Sequence, residues 1–167
     1  LRAELGLPED YEFHFSQNSV RIRDAFLRAL SPYSFSYYMS AIDKGSRGLD
    51  TLGIRRNEDL SRFLIRQTFE SALGILQGAN VVVDGQKGER RMRNDLRTYL
   101  SRELKGVDGE RLVAQVRMRD SHRDHLLQLP DYAAGLANRF LTGRPSSADL
   151  TQHFQPQLRS IRIWPDN

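Results

Sequence analysis

Two acidic residues stand where extended runs turn polar: Asp84 directly after Val81, Val82 and Val83, and Asp43 after the run Ser36 to Ile42. In an open α/β sheet, sites form at the carboxyl ends of strands. A carboxylate at the lip of a buried strand needs a partner, a metal ion or a solvated cleft. Asp84 also precedes a glycine, so an ordinary turn is the competing reading. A third acid, Asp131, lies in an apolar helical stretch where Leu126, Leu127, Leu129, Ala133, Ala134, Leu136, Ala137 and Phe140 cover most of the circumference. One polar row interrupts it, Asp124, Gln128, Asp131, Gly135 and Asn138, at spacings that helical geometry places on one side. Pro130 removes one backbone hydrogen bond there and predicts a kink. A carboxylate on a mostly buried helix is costly unless compensated. Asp131 is therefore either a metal ligand facing the strand-end acids or the salt-bridge partner of an arginine such as Arg123.

The segment YEFHF adds Glu12 and His14, which share one side of an extended chain because they are two residues apart. They could supply a metal ligand and a proton-transfer group, or form a solvated pair on an edge strand. His122 and His125 repeat the idea more weakly at a helix start. Carboxylates from several segments around one or two hard cations are what phosphoryl transfer requires, since such cations take oxygen ligands, activate water and neutralise the leaving oxygen. Beside Asp84, the cations Lys87, Arg90, Arg91, Arg93 and Arg97 could hold a phosphate backbone. The same residues could instead pair with Glu89, Asp95 and Glu103 along a solvated face.

Composition narrows the chemistry. The 167 residues contain no cysteine, which excludes disulfides, a thiol nucleophile and any cysteine-ligated metal. Twenty-five basic residues face 21 acidic ones, a net charge of +4, and all the basic residues except Lys44, Lys87 and Lys105 are arginine. That bias suits a nucleic-acid partner and is equally what a GC-rich coding bias produces. No apolar run approaches the ~20 residues that span a bilayer, and no secretory signal is visible, so a cytoplasmic protein is expected. The first residue is Leu1 rather than Met, which predicts that the natural protein begins upstream.

The elements that must position these residues follow from the hydrophobic period. Tyr11 to Phe15 reads as extended. Asn18 or Ser19 caps a helix with Ile22, Ala25, Phe26, Ala29 and Leu30 inward, ended by Pro32. Phe35 to Ala41 alternates as a strand. A helix runs from Asn57 to about Gln77, and Val81 to Val83 reads as a strand buried on both faces. Further elements are a helix over Met92 to Leu104, a strand over Leu112 to Met118, a long helix from Arg123 to Leu141 and a closing strand at Ile161 to Trp164. Residues 143–167 form a tail. This alternation predicts one α/β domain over residues 1–167 with partly parallel strands.

The order of motifs resembles the bacterial domain-of-unknown-function family 3800. The resemblance rests on EFHF, the strand end AIDK, the strand end VVVDGQ, the strand end MRDS and the helix LLQLPDYAAGLANR, and it spans roughly Tyr11 to Arg139. It implies a ribonuclease-H-like mixed sheet flanked by helices and a nuclease dependent on Mg²⁺ or Mn²⁺. Asp84 then matches the central-strand carboxylate and Asp131 the acid of the last helix, the two metal ligands, with Gln128 beside Asp131. Glu12, Asp43, Asp120 and Ser121 match further motif positions, Glu12 or Asp43 would assist, and Lys44 would accompany Asp43; His14, beside Glu12 by spacing, would support it. Family members begin with two strands, the first bearing an Asp-Glu-Ser motif that supplies the leading carboxylate. This chain starts after them, so an N-terminally truncated domain is expected. A sheet without its central hairpin favours strand addition by a partner or a second copy. The reading from another class is a non-catalytic nucleic-acid or protein-binding module of the same fold.

Overall fold

Helices and strands alternate along the chain, as the changing hydrophobic period predicts. The protein is described by a computed structural model covering residues 1–45, 57–85, 90–106, 108–144, 152 and 155–165. Its elements are α1 (Arg2–Leu5), α2 (Val20–Leu30), β1 (Tyr37–Ile42), α3 (Asn57–Ser71), β2 (Ala79–Asp84), α4 (Arg90–Glu103), β3 (Val113–Arg119), α5 (Gln128–Leu141) and β4 (Leu158–Trp164). The strands form two small parallel pairs, β1 with β4 and β2 with β3, flanked by helices. A single mixed sheet joining all four is not among the described pairings. Parallel pairing of β2 and β3 follows from the helix between them, since parallel neighbours need a crossover of a dozen or more residues. The three valines do not lie in a strand covered on both faces. Exposure alternates along β2, with Val81 and Val83 turned inward and Val82 outward, because only one face of this pair is packed.

The chain divides into two compact units, each taken here by itself. The first comprises Leu1–Tyr37, Asp84–Lys87 and Arg119–Leu158. Its core is aromatic: Phe13, Phe15, Phe26 and Tyr132 are buried with Leu27, Ala133 and Leu136. The rings meet at 5.0 Å (Phe13–Phe26), 4.0 Å (Phe26–Tyr132) and 5.5 Å (Phe15–Tyr132, edge to face). Such pairs contribute about 0.5–1.5 kcal/mol each beyond their buried area. Ser19 caps α2 by accepting the Ile22 N–H, and the helix stops before Pro32, as expected. Asn18, the other cap candidate, is buried between two phenols: it donates to Tyr11 Oη at 2.6 Å and accepts from Tyr132 Oη at 2.5 Å.

The last helix begins later than its apolar pattern suggests. Asp124 accepts the Leu126 N–H and opens a short 3-10 turn, His125–Leu127, so α5 starts at Gln128. Pro130 consequently falls in the first helical turn, where its missing N–H had no intrahelical partner, and the helix runs unbroken to Leu141. The polar row on α5 has a packing role. Residues 11–15 form no strand; instead Phe13 N–H donates to Gln128 Oε1 at 3.2 Å and Phe15 N–H to Asp131 Oδ2 at 2.7 Å. Amides two apart on an extended chain point the same way, and helix positions three apart share a face, so the spacings match. Gly135 continues the seam: a Cβ there would stand 2.1 Å from Phe15 Cδ1.

The second unit comprises Tyr38–Val83, Gly88–Met118 and Arg159–Asn167. Leu96, Leu100 and Leu104 of α4 pack with Val113 and Val116 of β3, and Ile65, Phe69, Val81 and Val83 close the cluster. On the β1–β4 pair, α3 is held by Thr68 Oγ1 donating to Ser40 Oγ, by Phe63 edge-on to Trp164 and by Arg162 donating to Gln67 Oε1. Among the described residues, no helix is long and apolar enough to cross a membrane.

Candidate functional site

Within the first unit, three distant parts of the sequence meet on Ser121. Gly85 N–H donates to Arg119 O at 3.0 Å, so the two chains stay paired where β2 and β3 end, and the turn after Arg119 lies beside Asp84. Ser121 N–H donates to Asp84 Oδ1 at 3.1 Å. Its carbonyl accepts from Gln128 Nε2 at 2.8 Å. Its hydroxyl lies 2.5 Å from Glu12 Oε1 and 3.3 Å from Asp84 Oδ2. A hydroxyl has one proton to give, and the shorter contact takes it. Asp84 Oδ2 is the more distant partner of that hydroxyl. Glu12 and Asp84 are thus a carboxylate pair on either side of one hydroxyl oxygen.

The far oxygen of Glu12 meets two imidazoles. His122 Nε2 lies 3.0 Å and His14 Nε2 3.4 Å from Glu12 Oε2. The other ring nitrogen of His14 is 3.6 Å from Asp131 Oδ2. The Glu12 side chain is 11% exposed, whereas those of His14, His122 and Asp131 reach solvent. A sheltered carboxylate flanked by two solvent-accessible imidazoles brings together the groups that general acid–base chemistry uses.

The remaining sequence-predicted residues have identifiable partners or positions. Gln128, 2% exposed, bridges Ser121 O to Phe13 N–H and so ties the Ser121 turn to the Glu12 segment. Asp131 Oδ2 accepts the Phe15 N–H. Asp120 accepts the His122 N–H at 3.0 Å and closes the turn that carries Ser121. Asp43 accepts the Gly45 N–H at 2.9 Å; it and Lys44 belong to the second unit. Arg93 and Arg97 are on α4, in the second unit, with Arg90 and Arg91 placed as helix residues only. Lys87 lies outside the described residues. His122 carries more of the site than the HRDH spacing suggests; its signal was adjacency to Ser121 rather than the three-residue spacing to His125.

Among the described residues, no three histidine, aspartate or glutamate side chains are grouped so as to hold a metal ion. Mg²⁺ asks less of a protein: one or two carboxylates suffice when waters and substrate phosphates complete the shell. Glu12, Asp84 and the hydroxyl of Ser121 meet that lower requirement, and all are the hard oxygen donors that Mg²⁺ and Mn²⁺ accept. Asp131, the other acid expected to hold a metal, accepts the Phe15 N–H with its Oδ2. No family model matches the chain, and no curated protein or solved structure matches it either.

Proposed function

We propose that the chain is a nuclease relative, akin to family 3800 and to ribonuclease-H-like enzymes, that hydrolyses phosphodiester bonds in nucleic acid with Mg²⁺ or Mn²⁺. The observation that carries this reading is the pair Glu12 and Asp84 on either side of the Ser121 hydroxyl, with His122 and His14 on the outer oxygen of Glu12. A hard cation, when bound, would supply charge neutralisation at the phosphate. Asp84 and Glu12 would hold it, Ser121 would fix their separation, and His122 or His14 would take the proton of the attacking water as the phosphorus–oxygen ester bond breaks. Arg93 and Arg97 of α4, in the second unit, are candidate contacts to nucleic acid in their own right. Cleavage of single- and double-stranded DNA and RNA, with Mg²⁺, Mn²⁺ or chelator, tests the proposal. Glu12→Gln and Asp84→Asn are each expected to lower the rate at least about a hundredfold, the scale of general-base or electrostatic losses. Full activity in both variants would refute it.

A second reading is favoured by the engagement of Asp131 and Gln128 with backbone amides, which leaves fewer groups for chemistry: a binding module without catalysis. Salt-dependent nucleic-acid binding, unaffected by chelator and without cleavage under any condition above, would select it.

A further inference from the structure

Ser121 has the surroundings of a nucleophile as well as of a spacer. It stands in the turn just past the end of β3, where an α/β sheet presents its chemistry. Its backbone is fixed from both sides, the N–H donating to Asp84 Oδ1 at 3.1 Å and the carbonyl accepting from Gln128 Nε2 at 2.8 Å. The residue is only half-buried, and its hydroxyl lies 2.5 Å from Glu12 Oε1. The hydroxyl proton is thus already aimed at a carboxylate that can receive it. The far oxygen of Glu12 is held in turn, 3.0 Å from His122 Nε2, on a side chain that is 11% exposed. A nucleophile within hydrogen-bond reach of a base, with that base oriented by a third group, is the pattern of an activated serine. Here the order is serine, glutamate, histidine, with the carboxylate in the middle.

Charge and hydrogen bonding select the substrate. Glu12 and Asp84 set two carboxylates beside Ser121 Oγ. With no cation bound, they repel an anionic phosphodiester and leave an uncharged carbonyl free to approach. The N–H groups of Ser121, His122 and Arg123 are all engaged, with Asp84 Oδ1, Asp120 Oδ1 and Asp120 O respectively. None of the three is left to stabilise an oxyanion. The acyl group must therefore carry a leaving group that departs readily, as in an aryl ester or a thioester.

We propose that Ser121 is a nucleophile toward activated, uncharged acyl groups, with Glu12 as its general base and His122 orienting Glu12. Oγ forms a bond to the acyl carbon as its proton passes to Glu12 Oε1. The bond from that carbon to the leaving oxygen or sulfur breaks, and the leaving group departs with the electron pair and the proton. Water then attacks the acyl-serine and gives a proton to Glu12. The Oγ–carbon bond breaks, Oγ recovers that proton, and the carboxylic acid is released. No cation takes part, so this activity stands apart from the hydrolysis of nucleic acid proposed above.

The test uses the full chain with para-nitrophenyl acetate in excess and a chelator present. Nitrophenolate release is followed by absorbance, and after a rapid acid quench the acetyl group is located by peptide mass spectrometry. Wild type is expected to release nitrophenolate and to carry the acetyl group on Ser121. Glu12→Gln should slow acetylation of Ser121 at least about a hundredfold, the scale of a general base. Ser121→Ala, shown by thermal unfolding to be folded, should lose the enzymatic release. Absence of acetyl on Ser121 in wild type overturns the proposal whatever the variants do. So does equal ester cleavage by wild type and folded Ser121→Ala, which would mean that an imidazole or amine attacks the ester. Undiminished acetylation of Ser121 in Glu12→Gln removes Glu12 as the base and overturns it too. Transfer of phosphoryl to Ser121 from the anionic bis(para-nitrophenyl) phosphate, still with chelator, would overturn the substrate class.

Discussion

Asp131 offers the sharpest separation between a carboxylate that holds a cation and one that holds the chain. The hydrogen bond from Phe15 N–H to Asp131 Oδ2 is 2.7 Å long and charge-assisted, a class that contributes about 1.5–3 kcal/mol. Asp131→Asn keeps an acceptor oxygen at the same place and loses the charge, so roughly half of that contribution goes, about 1 kcal/mol. Asp131→Ala leaves the amide unpartnered. Because the Asp131 side chain is 44% exposed, water can reach the amide and the loss falls near the lower part of the range, about 2 kcal/mol. In a chain of this length each kcal/mol moves the unfolding midpoint by about 2–4 °C, so the alanine variant should melt roughly 4–8 °C lower and the asparagine variant about half as far. Near-UV dichroism of the aromatic core reports the first unit, while fluorescence of Trp164 reports the second. The transition seen by dichroism should move more. If asparagine and alanine both leave stability unchanged while both abolish metal-dependent cleavage, the amide-anchor reasoning is refuted and Asp131 acts as a ligand.

Gly135→Ala should destabilise even though alanine favours helix by about 1 kcal/mol, because the new methyl meets the Phe15 ring and overpacking costs about 1–3 kcal/mol. A more stable Gly135→Ala variant in urea titration would contradict the seam. Tyr132→Phe removes the donor to Asn18 Oδ1 in a buried network, and chemical denaturation should show a loss of about 1–2 kcal/mol. Alkali should destabilise the protein in a defined window. Burial pushes the Tyr37 phenol up to about 12 from 10.0, and burial foremost raises Tyr132 as well. Below the ordinary value both phenols are neutral in the folded and unfolded chain and stability is full; as pH rises through that value toward 12, the unfolded chain ionises first and stability falls. Replacing both tyrosines by phenylalanine should flatten that fall in denaturation curves taken across the window.

Much of the frame was legible in sequence because the period of burial is a local property. Ser19 and Pro32 bound α2, and the alternation of α4 and β3 residues marks a helix and a strand. What escaped was the pairing of elements. Three consecutive valines suggest a strand covered on both sides, yet Val82 is exposed because covering depends on partners that no local pattern encodes. The polar row on the last helix suggests charge chemistry, whereas Gln128 and Asp131 accept hydrogen bonds from amides of an extended segment more than a hundred residues earlier. Glu12 and His14 do share a side, as residues two apart should. Arg23, one residue after Ile22 and three before Phe26, lies on the inward face of α2, where apolar periodicity alone does not place a cation.

Ser121 has its amide, hydroxyl and carbonyl tied to residues 84, 12 and 128 respectively. Such a node closes large loops, and closure entropy delays contacts between distant residues. The Glu12 contact, 109 residues apart along the chain, therefore bears the largest closure cost of the three. On a translating ribosome all three ties of Ser121 can coexist only once residue 128 has emerged. The placement of the two acids relative to each other thus depends on the turn that precedes the last helix as much as on their own segments.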